Sequence, residues 1–218
     1  CPFHYITLFS VHQFWEGGTY NTLVKDNKTA SEAAQQNAWG RIKENLENLP
    51  SKGTYNEWHT KLCKEITEQC YKKLNGIFSY GNAQKWVNMT MKYLYIFHRL
   101  MQTYNSESDF EKKYGQKIEP LISDFHVPID SYIIQAVWEK EEVSLPMKEQ
   151  YLHKPRTKYT AKNNAEKVKA WSQWEKKEYD KTQDGMKNLA KSQAYQSPIE
   201  WECDAWIETA KNIKRPKS

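Results

Sequence analysis

Long apolar runs are missing from this chain of 218 residues. No stretch approaches the roughly eighteen uninterrupted apolar residues that cross a bilayer, so no membrane segment is expected. The opening Cys1–Ser10 is short and has no basic flank or small-residue cleavage site, so it does not read as a signal peptide. Cysteine is scarce: four residues, at 1, 63, 70 and 203, form no C-x-x-C pair. That excludes a disulfide framework and a compact iron–sulfur pattern. Cys63 and Cys70 are expected as small buried hydrophobes on one helix face, and the compartment reads as reducing and cytoplasmic. The sequons at Asn27 and Asn88 are then chance matches. No H-E-x-x-H, nucleotide-binding glycine loop or G-x-S-x-G is present. The six histidines show no metal-ligand spacing, and Arg99 lacks the downstream histidine of helical ribonucleases. No metal and no small-molecule cofactor are expected.

Glycine is also scarce, with eight residues, and sustained period-two alternation is absent, which removes the sheet signal. What remains is helical. Thr54-Tyr55-Asn56-Glu57 reads as a capping box opening a helix to about Leu74, and Ser108–Glu111 repeats the device. Ser197-Pro198-Ile199-Glu200 places a serine cap before proline at the first helical position and starts a terminal helix carrying Trp201 and Trp206. Another helix is expected over Ser31–Leu49, ended by Pro50 and Gly53. The stretch 82–102 is apolar nearly all round and reads as a buried central helix. Residues 161–180 read as a lysine-rich helix, with 1–30 and 140–160 irregular. The fold class is therefore all-α: one protein over residues 1–218, or two packed helical subdomains, about 50–140 and 1–49 plus 141–218.

The net charge is +5, and its distribution is uneven. Residues 140–218 carry 17 Lys/Arg against 12 Asp/Glu, so the surplus lies there. Between 148 and 169 stand Lys148, Lys154, Arg156, Lys158, Lys162, Lys167 and Lys169, against Glu149 and Glu166. Such a patch suits a phosphate backbone; a solvated helix face has the same composition.

Two short stretches carry the chemistry. In Tyr80-Gly81-Asn82-Ala83-Gln84-Lys85-Trp86-Val87-Asn88 a glycine turn between helices precedes a lysine in the first turn of the second. In His126-Val127-Pro128-Ile129-Asp130-Ser131 an extended segment stiffened by proline leads to an aspartate at the N-cap of the next helix. Together they resemble the signature of the helix-hairpin-helix DNA glycosylase superfamily. The lysine–aspartate separation of 45 residues is closest to the archaeal branch acting on oxidised guanine. The resemblance covers about 55 residues, a quarter of the chain. It implies a helix-hairpin-helix turn near Gly81, Lys85 as catalytic nucleophile and Asp130 as catalytic carboxylate. Ala83 stands where a second hairpin glycine is usual.

That implied chemistry is base excision with abasic-site lyase activity on DNA. A lysine attacks a sugar C1′ only as the neutral amine, which desolvation or a neighbouring cation favours; Lys92, one heptad on, is the candidate cation. Phosphates would lie against the backbone of Gly81, Asn82 and Ala83 and against Lys92, Lys154, Arg156 and Lys158. A flipped base would meet Trp86 and His126. The competing reading is a non-catalytic helical module that binds protein or nucleic acid, with Trp201 and Trp206 as its anchor. Under it Lys85 is a solvated lysine, Asp130 a plain cap and His126 a loop hydrogen-bonder.

Overall fold

The computed structural model describes residues 20–70, 78–104, 108–138, 140–146 and 169–212, with side chains from residue 33 onward. Among these residues every regular element is helical and none is a strand. No described helix is long and apolar enough to cross a membrane. The chain folds as two compact units, Cys1–Phe125 and His126–Ser218. Within the first unit the first long helix packs on the one that follows it.

In the first unit, α1 spans Tyr20–Glu47, so residues 20–30 are helical where an irregular segment was expected. Its inward stripe, Ala34, Ala38, Ile42 and Leu46, repeats every four residues, the spacing that keeps side chains on one helical face. A turn through Gly53, whose φ of +88° is left-handed and suits a residue without Cβ, leads to α2, Tyr55–Glu65. The capping box expected at Thr54 does not form. The Thr54 backbone is not extended (φ −108°, ψ 8°), and its hydroxyl donates to the Ser51 carbonyl at 2.9 Å instead. Beyond Glu65 the helix widens into a π-helical turn, Ile66–Cys70, where the Thr67 hydroxyl donates to the Cys63 carbonyl at 2.8 Å. A side chain bonding one turn back in this way competes with the ladder and bends it.

The long helix α3 spans Tyr80–Thr103. Ser79, in extended backbone, caps it by accepting from the Asn82 N–H at 3.2 Å. The helix is one-sided rather than buried all round: Ala83, Val87, Met91 and Leu94 face the core, while Ile96 and Leu100 are exposed. After it come a π-helical turn, Glu111–Gly115, the single turn α4, Gln116–Ile118, and a 3₁₀ stretch, Glu119–Asp124. Ser108 accepts from the Glu111 N–H, half of the expected box. Glu47 at the end of α1 accepts from Lys113 at 2.7 Å and from the Tyr114 hydroxyl at 3.1 Å, tying this connector back to α1.

The second unit opens on the segment 126–130, which enters α5, Ser131–Ala136. Of the helix expected at 161–180, only the later part is described. Residues 161–168 lie outside the described residues; Trp171–Gln173 is a 3₁₀ turn, and α6 runs Lys176–Ser192. The amide of Gln183 on α6 grips both backbone groups of Val127: it accepts from the N–H at 2.9 Å and donates to the carbonyl at 2.6 Å. Gly185, two residues after Gln183 on α6, meets the backbone of Glu142 and Val143, and an added Cβ would sit 2.5 Å from the Glu142 carbonyl oxygen. The α6 C-terminus closes with Ala194 left-handed (φ 62°) and the Tyr195 N–H on the Ala190 carbonyl at 3.0 Å, a Schellman-type ending. Pro198–Asn212 forms α7. Ser197 accepts from the Glu200 N–H, as its motif led us to expect, and α7 packs on α5.

Candidate functional site

The site in the first unit begins with the register of α3. Gly81, Gln84, Lys85 and Asn88 recur at intervals of three and four and share one stripe, and all four are buried. Lys85 retains only 3 % of its exposure. The Lys85 expected in the first turn stands in the second, because the helix starts at Tyr80. For the same reason Gly81 is the second residue of the helix, and the hairpin turn expected there is a helix start capped by Ser79. Of the backbone donors expected to meet phosphate, the Asn82 and Ala83 N–H groups both bond to Ser79 at 3.1 Å.

Beside Lys85 runs a buried polar chain. His59 Nε2 lies 2.8 Å from Asn88 Oδ1. Asn88 Nδ2 donates to Gln84 Oε1 at 2.9 Å, and Gln84 Nε2 donates to the Gly81 carbonyl at 2.7 Å. Because the Asn88 amide nitrogen is turned to Gln84, its oxygen accepts and His59 donates through Nε2. All three side chains are at most 1 % exposed. Buried polar groups persist only when satisfied, and here each supplies the next. The Cys63 sulfur lies 3.8 and 3.7 Å from the two ring nitrogens of His59. Near-equal distances place it off the line of either nitrogen's lone pair, so the pair is packing rather than an activated thiol.

The other expected residues fall as follows. Trp86 is half-buried and meets Phe78 edge-on, ring centres 5.3 Å apart. Lys92 is half-buried on α3. In the second unit Asp130 caps α5, as expected: its Oδ1 accepts from the N–H groups of Tyr132 and Ile133, each at 3.0 Å. His126 Nδ1 lies 2.7 Å from the Tyr179 hydroxyl, which holds the ring against α6. Lys154, Arg156 and Lys158 lie outside the described residues. Lys169, the one described member of the basic run, donates to Glu178 at 2.8 Å, so its charge is matched within the protein.

Sequence reasoning missed a second titratable cluster. His98 on α3 is buried between two carboxylates, with Nδ1 2.9 Å from Glu111 and Nε2 2.5 Å from Glu119. Arg99 and Gln102 also donate to Glu119. Partial burial alone would raise the Glu119 carboxyl, but the bond from His98 and the Arg99 charge outweigh it and hold Glu119 below its ordinary range. The separations of 13 and 21 residues give no local signal. The carboxylates sit on opposite ring nitrogens, so no point is shared by three donors; among the described residues no group could hold a metal ion.

An open cleft of about 520 Å³ lies between α1 and the π-helical turn, lined by Gln36, Asn37, Gly40, Arg41, Glu44, Gln69 and Cys70. Burial pushes the Cys70 thiol up, which opposes thiolate chemistry. None of the residues singled out from the sequence for chemistry lines it.

Comparison with family models, curated proteins and solved structures finds no match for this chain. The functional reading therefore rests on the residues themselves.

Proposed function

We propose that the chain is a DNA-base glycosylase with abasic-site lyase activity and that Lys85 is its nucleophile. The observation that carries the reading is the burial of Lys85 on a stripe of satisfied polar side chains. A lysine this deep in a fold is uncommon, and here it shares its stripe with Gly81, Gln84 and Asn88, whose polar groups bond one to the next; the resemblance assigns the nucleophilic amine to this position. The amine attacks C1′ of the nucleotide; the glycosidic bond breaks and its electron pair leaves with the base, which takes up a proton. The C1′–O4′ bond then opens, O4′ taking up the proton that the nitrogen gives up, and the imine so formed acidifies C2′, whose proton is lost as the C3′–O bond breaks and the 3′ phosphate leaves. A carboxylate stabilises the positive charge that develops on the sugar, and Asp130 is the residue that the resemblance assigns to this role. A cytoplasmic location belongs to the same reading.

Duplexes carrying oxidised, alkylated or deaminated bases, and duplexes with bare abasic sites, test the reading, with borohydride to trap the imine. We expect excision or strand cleavage by the wild type and a trapped adduct. Lys85→Gln should abolish both and leave DNA retention unchanged. Asp130→Asn should slow excision while still capping α5, since asparagine caps as well as aspartate. A wild type that neither cleaves, traps nor retains DNA at low salt transfers the case to the helical interaction module. Full activity in Lys85→Gln removes the mechanism while leaving a DNA enzyme.

A further inference from the structure

We propose that His59 is a positioning residue for Lys85, acting through Asn88 and Gln84. The inference rests on the glycosylase reading above and extends it to His59, a residue outside both sequence stretches that carry the resemblance's catalytic pair.

Three hydrogen bonds run in one direction from α2 into the first turn of α3: His59 to Asn88, Asn88 to Gln84, Gln84 to the Gly81 carbonyl. Gln84 and Asn88 are the nearest stripe neighbours of Lys85, one directly before it and one three residues after. Fixing them fixes the rotation of the turn from which the lysine projects. His59 is the link that α3 cannot supply for itself. It sits on another helix, 29 residues away, and is held there by ring contacts with Tyr55 at 5.9 Å. A chain of bonds in a water-excluded interior is strengthened by each of its members, and it fails as a unit when one end is removed. The bland role of such a chain, satisfying buried amides, requires only that each group have a partner. Positioning demands in addition that the rate, and not merely the fold, depend on the donor at residue 59.

The test compares His59→Leu, which removes the donor, with His59→Gln, whose amide nitrogen can occupy the place of Nε2 and donate to Asn88. Single-turnover excision, borohydride trapping and DNA affinity are measured alongside thermal melting. We expect His59→Leu to lower the excision and trapping rates by about 10²-fold, the cost of a displacement of about an ångström at a reacting group. DNA affinity should not change, and His59→Gln should recover most of the rate. If His59→Leu does not melt cooperatively, Gln84→Met, which breaks the chain at its far end without touching α2, takes its place under the same criteria. A Lys85-dependent wild type with full rate in the donor-less variant overturns the positioning role and leaves the glycosylase reading standing. Equal losses in His59→Leu and His59→Gln also overturn it, because the donor would then be irrelevant. A wild type without excision or trapping overturns both.

Discussion

Two helical glycines should respond to the same substitution in opposite directions. Replacing glycine by alanine inside a helix ordinarily stabilises by about 1 kcal/mol, because alanine loses less backbone freedom on folding. Gly40 on α1 meets nothing within 4 Å of an added Cβ, so Gly40→Ala should show that gain. Gly185 on α6 is different. A Cβ there would lie 2.5 Å from the Glu142 carbonyl oxygen and 2.8 Å from the Val143 Cα, against an optimum of about 3.5–4.0 Å between carbon atoms. Both obstacles are backbone, which cannot swing aside like a long side chain. Overpacking of this kind costs about 1–3 kcal/mol, and α6 is further restrained where Thr182 donates to the Ser144 carbonyl at 2.8 Å. The clash outweighs the propensity gain, and Gly185→Ala should lose stability. At about 2–4 °C per kcal/mol for a chain of this length, thermal melting monitored by circular dichroism separates the two variants. A Gly185→Ala protein that melts at or above the wild type would refute the close approach of α6 to residues 142–143.

Three smaller outcomes follow from other details. Ala194→Gly should stabilise by about 1 kcal/mol in urea unfolding, since a left-handed conformation costs an L-residue about 1–2 kcal/mol, partly offset by the greater freedom of glycine when unfolded. Acid should weaken both units. Partial burial would raise Glu178, but the Lys169 ammonium and the Glu175 N–H hold it below its ordinary value, as His98 and Arg99 do for Glu119. A lowered folded value means that the stability is present above the ordinary carboxylate range and is lost as pH falls through the folded value. Glu178→Gln should accordingly flatten the acid limb of a stability–pH curve; an unchanged limb would refute the contribution. Asp130→Ala should cost about 1 kcal/mol through loss of the α5 cap, read by the same urea titration, whereas Asp130→Asn should not.

How far the sequence could be read depended on the distance over which each signal acts. Ser197 and Asp130 behave as their neighbours announce, because a cap needs only the chain three residues ahead of it. Thr54 carries equally good letters and fails, since Gly53 turns left-handed before it and brings the hydroxyl within reach of Ser51. The motif singles out Lys85 as a candidate nucleophile but says nothing of its burial. Its burial follows from packing against α2, whose His59 is far away in sequence. The His98 cluster was invisible for the same reason: neither Glu111 nor Glu119 stands at a helical interval from the histidine. The basic run was legible as composition, yet Lys169 already has Glu178 as its counter-ion, and that pairing belongs to the start of α6 rather than to the run.

The grip of Gln183 on Val127 has a consequence for alignment of the chain with itself. A side-chain amide offers one donor and one acceptor at a fixed spacing, and here it meets the N–H and carbonyl of a single residue. Sliding the segment by one residue in one direction would offer it Pro128, which has no N–H to give. Sliding it the other way would replace the buried Val127 by His126, whose ring is held by Tyr179. The amide therefore works as a vernier: it accepts one setting of the segment 126–130 and rejects its neighbours. By that setting it determines which residue arrives at the head of α5, and that residue is the carboxylate.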